Sequence, residues 1–169
     1  GGSSRRLMDE YGLPLPMGDL RQGLVAQSRS RRLWRELFAY RFAPTKQAGV
    51  GGHSLGNLIL RALEDLSSGN LLEALLDAEA ILNTVGHVVP VALQPATLCA
   101  ELADGTTLRG EDTIDRRGEP EPAIRRVYLD PVPPVTTRAK KALERAARII
   151  IGPGDLYTSI LPTLLVGGV

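Results

Sequence analysis

Residues 149–161 read IIIGPGDLYTSIL, and the reading of this stretch decides the fold. Three consecutive isoleucines are apolar on both sides of an extended chain, the pattern of a buried strand in a parallel sheet. Gly152-Pro153-Gly154 stops the run, and Asp155 or a neighbour is placed to cap a new helix carrying Thr158 and Ser159. Such a turn sets unpaired backbone N–H groups at the carboxyl edge of a sheet, where open α/β folds bind ligands. Helix N-termini attract phosphate for the same reason. The spacing equally suits an ordinary connection, and a carboxylate at Asp155 would repel a phosphate.

Upstream, TTRAKKALERAAR (136–148) predicts a helix capped near Thr136 or Thr137, with an apolar face at Ala139, Ala142, Leu143, Ala146 and Ala147. AIRRVYLDP (123–131) predicts a strand after a charged loop at 111–122. The alternation of Leu98, Ala100 and Leu102, followed by Asp104-Gly105, predicts a hairpin. HVVPVAL (87–93) is β-branched and reads as a further strand. Leu55, Leu58, Ile59, Ala62, Leu63 and Leu66 keep helical spacing, as do Leu71, Leu75, Ala78, Leu82 and Val85, with Gly86 placed to end that helix. Residues 5–42 read as short basic helices around a connection at 12–19. Trp34, Phe38 and Phe42 share a stripe that suits a core. Helices alternating with short apolar strands predict an α/β fold with a mostly parallel sheet, flanking helices and a β-hairpin insertion, 87–131 being β-rich. The strands are few for 169 residues, so part of the sheet is expected to be missing.

Composition narrows the function. The net charge of +1 does not call for a polyanionic partner, and 43% hydrophobic with 23% charged residues is ordinary for a globular chain. A single cysteine, Cys99, excludes an internal disulfide framework and suits a cytoplasmic setting. With only His53 and His87 beside it, a zinc site is not expected. No run approaches the ~20 apolar residues of a membrane span.

Three more stretches could hold a ligand. In GGHSLGN (51–57) the glycines permit close backbone approach, Ser54 can cap, and Gly56 is costly inside a helix unless something packs against it. His53 and Asn57 stand near that helix end. In MGDLRQG (17–23), Asp19 is an N-cap candidate, and Arg21 offers a planar fork suited to phosphate or carboxylate. GGSS (1–4) could form a nest of N–H donors or be a plain linker. The arginines between 29 and 41 suit solvated faces better than a nucleic-acid interface. No nucleophile elbow, Walker loop or metalloprotease signature occurs.

Taken in order, GGSS, LMDEYG, GDLRQ, GGHSLGN, AELADGTTLRGE, IRRVYLDP and IIIGPGDLYTSILPTLLV resemble the gluconeogenesis factor branch of the CofD-like family. The likeness covers essentially all 169 residues as one domain. It marks the chain as a middle segment, without the family's first glycine-rich loop or its C-terminal part. The resemblance implies a Rossmann-like sheet with a ligand cleft lined by Gly1, Gly2, Ser3, Ser4, Asp19, Arg21, His53, Ser54, Asn57, Gly152, Gly154 and Thr158. It further implies a cytoplasmic regulatory protein that binds UDP-N-acetylglucosamine and serves growth and cell shape on gluconeogenic carbon sources. A homodimer is compatible with it. The family's other branch implies a 2-phospho-L-lactate transferase of deazaflavin coenzyme synthesis, which would need Mg2+; otherwise no cofactor is expected. Three residues depart from the family pattern: Arg5 for a glycine, Gln22 for an asparagine and Asp155 for a serine.

Overall fold

The computed structural model describes residues 17–44, 50–118 and 122–169. They fall into two compact units, one within 1–89 and one within 90–169.

The first unit is helical. Its described elements are α1 (Met17–Gln27), α2 (Arg32–Ala39), α3 (Leu55–Leu66) and α4 (Leu71–Leu82). Helical spacing turns Leu24, Phe38, Leu60, Leu71, Leu75, Ala78 and Leu82 toward one another, and with Met17 they form its core. Phe38 and Leu60 are wholly enclosed, and burial of each such side chain stabilises by about 1.5–3 kcal/mol. α4 is capped at its start by Asn70, whose side chain accepts from the N–H groups of Leu72 and Glu73. It ends at Leu82, with Asn83 in the left-handed region at φ 45°, four residues' length short of the expected stop at Gly86. The Asn83 and Leu82 carbonyls then accept from Arg29 and Ser30 N–H, so the exits of α1 and α4 are tied together.

The second unit carries a three-stranded sheet of β1 (Thr97–Leu102), β2 (Thr107–Arg109) and β3 (Ile124–Asp130), in the order β2-β1-β3. Both pairings are antiparallel. The expected hairpin forms at Asp104-Gly105, where Gly105 has φ 87°. Ala100 lies opposite Leu108 on one side and Val127 on the other, and Leu98 opposite Leu129. This inward row packs on Ile114 and Val166. The free thiol of Cys99 is buried. The charged segment expected as a loop contains a short helix, α5 (Glu111–Asp115), which places Ile114 in that core. α6 (Thr137–Arg145) is capped by Thr136, whose hydroxyl accepts from Ala139 N–H at 3.1 Å. Of its expected apolar face, Ala139 is buried and Leu143 half-buried, while Ala142 is exposed. A π-helical turn (Leu156–Ile160) and α7 (Leu161–Leu164) follow.

The α/β class with its hairpin is therefore observed, and the described sheet is antiparallel rather than mostly parallel. Among the described residues a parallel pairing occurs as a single bridge, Pro134 to Gly167. Two segments read as strands are irregular. In 87–93, Pro90 has no N–H to give a ladder; Val88 N–H is taken by Glu79, and the Pro90 and Val91 carbonyls accept from the hydroxyl and N–H of Thr136. Ile149, Ile150 and Ile151 are 58%, 83% and 61% exposed, because β1–β3 bring no strand beside them. Their apolarity fitted them for burial; burial requires a neighbour.

Candidate anion-binding site

Arg21 organises the best-formed polar cluster of the first unit. It sits in the second turn of α1 and is 9% exposed. Its Nε–H donates to Asn57 Oδ1 at 3.1 Å, and one terminal N–H donates to the carbonyl oxygen of Phe38 at 3.3 Å. Ser54 turns its hydroxyl to the same carbonyl at 3.4 Å instead of capping α3, as its position suggested. Asn57, in the first turn of α3, is fully buried, and His53 and Ser54 are nearly so. Arg21, His53, Ser54 and Asn57 are thus gathered around the Phe38 carbonyl and the start of α3.

The backbone explains why they meet. Phe42 N–H donates to His53 O, Gly52 N–H to Phe42 O, and Leu55 N–H to Tyr40 O, all between 2.9 and 3.1 Å. This zipper lays residues 52–55 antiparallel to 40–42, and Arg41 adds a bond to the Gly52 carbonyl at 2.8 Å. Gly56 is the close-approach point. A Cβ there would collide with the Phe38 carbonyl and stand 2.8 Å from Arg21 Cδ. The glycine that looked costly inside a helix is the one that lets α3 close on α1 and the end of α2.

Electrostatically, the cluster is short of negative charge. Burial pushes the Arg21 guanidinium down from its usual value and Arg41 pushes the same way, while Asp19 partly offsets both. Asp19 lies inside the first turn of α1, exposed, and is not the residue before the helix. No carboxylate stands within ion-pair distance of Arg21 among the described residues. A guanidinium held by two neutral oxygens keeps further N–H donors for a planar anion.

The other candidates fall elsewhere. Gly152, Gly154 and Thr158 belong to the second unit. Gly152 has φ 101° and residues 151–157 are all exposed. At Gly154 a Cβ would come 2.9 Å from Ser159 Cβ, so the turn folds tightly onto the helix it opens. Asp155 offers no side-chain cap; its carbonyl accepts from the N–H groups of Ser159 and Ile160, and Thr158 is half-buried. Gly1, Gly2, Ser3, Ser4 and Arg5 lie outside the described residues. Two participants escaped sequence reasoning. The Phe38 carbonyl carries no signature, being backbone, and Arg41 was visible only as one basic residue among several. Among the described residues no group of three His, Cys, Asp or Glu side chains is placed to hold a metal ion. No described helix is long and apolar enough to cross a membrane.

The chain has known counterparts in sequence and in fold. Residues 1–169 match the family described as 2-phospho-L-lactate transferase CofD, and the chain belongs to the CofD family. Within it, the chain is 43% identical to the gluconeogenesis factor of Bacillus subtilis, over 98% of this chain and 50% of that protein. It is 40% identical to the gluconeogenesis factor of Halalkalibacterium halodurans, over 100% of this chain and 51% of the relative. A crystal structure of a Bacillus halodurans protein described as a member of the UPF0052 family superposes with a TM-score of 0.88 at 40% identity, over 99% of this chain and 52% of that one. The chain spans about half the length of these relatives.

Proposed function

We propose that this chain is the part of a gluconeogenesis factor that helps hold a nucleotide sugar, UDP-N-acetylglucosamine, and that it acts by binding in the cytoplasm rather than by turnover. The supporting observation is the buried Arg21, fixed by Asn57 and the Phe38 carbonyl with no carboxylate at ion-pair distance among the described residues. A diphosphate supplies the missing negative charge, and a charge-assisted bond to a preorganised guanidinium is among the stronger polar contacts. Asp19, His53 and Asn57 would then be the candidates for contacts to ribose, base or sugar. A bound sugar nucleotide would report carbon supply to the pathways governing growth and cell shape.

Calorimetric titration of the full-length protein with UDP-N-acetylglucosamine tests this. Saturable heat is expected, weakened about ten-fold or more by Arg21→Ala. Absence of heat in the folded wild type overturns the reading. The CofD family description favours one alternative, transfer of phospholactate to a deazaflavin acceptor. Product formed from activated phospholactate, acceptor and Mg2+ would replace the regulatory reading with that enzyme.

A further inference from the structure

We propose that the first turn of α2 is a docking surface for an anionic lipid bilayer, with Leu33 and Trp34 entering the headgroup layer and the surrounding arginines holding lipid phosphates. Residues 31–36 are all exposed, so this turn stands clear of the core that encloses Phe38 one turn later. Leu33 is 64% and Trp34 43% exposed. Around them stand Arg29, Arg31 and Arg35, which enter no ion pair among the described residues, and Arg32, paired with Glu36. Five arginines and one carboxylate fall between 29 and 41, in a chain whose net charge is only +1, so its positive charge is concentrated here.

This arrangement costs the isolated helix something. Arg31 at the cap position supplies no acceptor, and no acidic residue stands in the first turn. Arg31 and Arg32 therefore oppose the positive end of the helix dipole, a repulsion that a negatively charged surface relieves. Arginines alone would suit nucleic acid or an acidic protein equally. Leu33 decides between them: an exposed aliphatic side chain gains nothing from a phosphate backbone, and a protein partner would need a shaped pocket for Trp34. A headgroup layer accepts both, and Trp beside Arg and Leu on a basic amphipathic helix is the composition of interfacial binding.

Trp34 is the chain's only tryptophan, so its emission reports the event directly. The 169-residue chain is mixed with vesicles of phosphatidylglycerol and phosphatidylcholine in equal parts, or of phosphatidylcholine alone. A blue shift with co-flotation is expected for the anionic vesicles only, and lost near 1 M salt, where the screening length is about 3 Å. The exposed pair Arg31→Glu and Arg35→Glu should weaken binding about ten-fold or more with unchanged circular dichroism, and Leu33→Ser several-fold. Unchanged emission and no flotation with anionic vesicles overturns the proposal, as does equal binding to both vesicle types. Displacement of the vesicles by a DNA duplex or by polyglutamate at matched charge also overturns it, assigning the turn to nucleic acid or to an acidic protein. None of these outcomes depends on whether a nucleotide sugar binds.

Discussion

Arg21 and Asn57 lie 36 residues apart in sequence and meet inside the helical unit, Nε to Oδ1 at 3.1 Å. The amide oxygen satisfies the guanidinium without neutralising it, so the cluster stays positive. Asn57→Ala leaves a buried donor of Arg21 without its acceptor and is expected to cost about 1–3 kcal/mol in urea unfolding. Asn57→Asp should fold and yet bind an anionic ligand worse than wild type, since its carboxylate supplies the charge the ligand would bring. Calorimetry beside urea denaturation separates the two effects; an Asn57→Asp variant that binds UDP-N-acetylglucosamine as tightly as wild type contradicts the anion-site assignment.

Gly56 offers a sharper test of packing. Alanine is the better helix former by about 1 kcal/mol, which favours the substitution. The obstacle is the backbone carbonyl of Phe38, which cannot swing aside as a side chain tip would. Overpacking of this kind costs about 1–3 kcal/mol, so Gly56→Ala should be net destabilising. Gly23→Ala is the control: its Cβ would meet only the Val88 methyls at 3.3–3.4 Å. It should be neutral or slightly stabilising. Equal thermal shifts for both variants would refute the close approach.

Glu79 is 7% exposed, yet both its oxygens are used. One stands 2.7 Å from His87 Nδ1 and the other accepts from Val88 N–H at 2.7 Å. Glu79→Ala takes the charged acceptor from the half-buried Val88 amide and should cost about 1–3 kcal/mol. His87→Ala should cost well under half as much, since the imidazole is largely in solvent and Val88 keeps its acceptor. Urea denaturation of the two variants compares them.

The hairpin predicts a pH effect. Hydrogen bonds from Thr106, its backbone N–H first, hold the Asp104 carboxyl below the usual carboxylate value. A group depressed in the folded state contributes stability above its unfolded value, about 3.9, and loses it as pH falls through the folded one. The stability difference between wild type and Asp104→Ala should therefore be constant near neutrality and shrink below about pH 4. A gap that widens in acid contradicts the assignment.

Local chemistry was legible where it is decided locally. Thr136 as a cap, the Asp104-Gly105 turn, and the helices at 55–66 and 71–82 follow from residue type and spacing, because each is settled within a few residues of chain. Gly86 misled as a stop because Asn83 reached the left-handed conformation first. The segment 111–122 hid a helix because its charged face outweighs the one buried residue, Ile114. In the candidate site, Arg21, His53, Ser54 and Asn57 could be listed from sequence, but their roles could not: Ser54 bonds a carbonyl rather than capping, and Asp19 lies within a helix rather than ahead of it.

The sequence alone determined that 55–66 and 71–82 are helical, where the hairpin turns, and that three isoleucines in a row are fitted for a two-sided apolar setting. It also carried the family, through the order of its motifs. Tertiary structure decided what those segments lie against: that the described sheet runs antiparallel, that Ile149–Ile151 stand open, and that Gly56 admits the Phe38 carbonyl beside Arg21. The division has a physical cause. Dihedral preference and periodicity belong to neighbours along the chain, whereas burial, charge balance and strand pairing belong to neighbours in space, which one-dimensional order does not name.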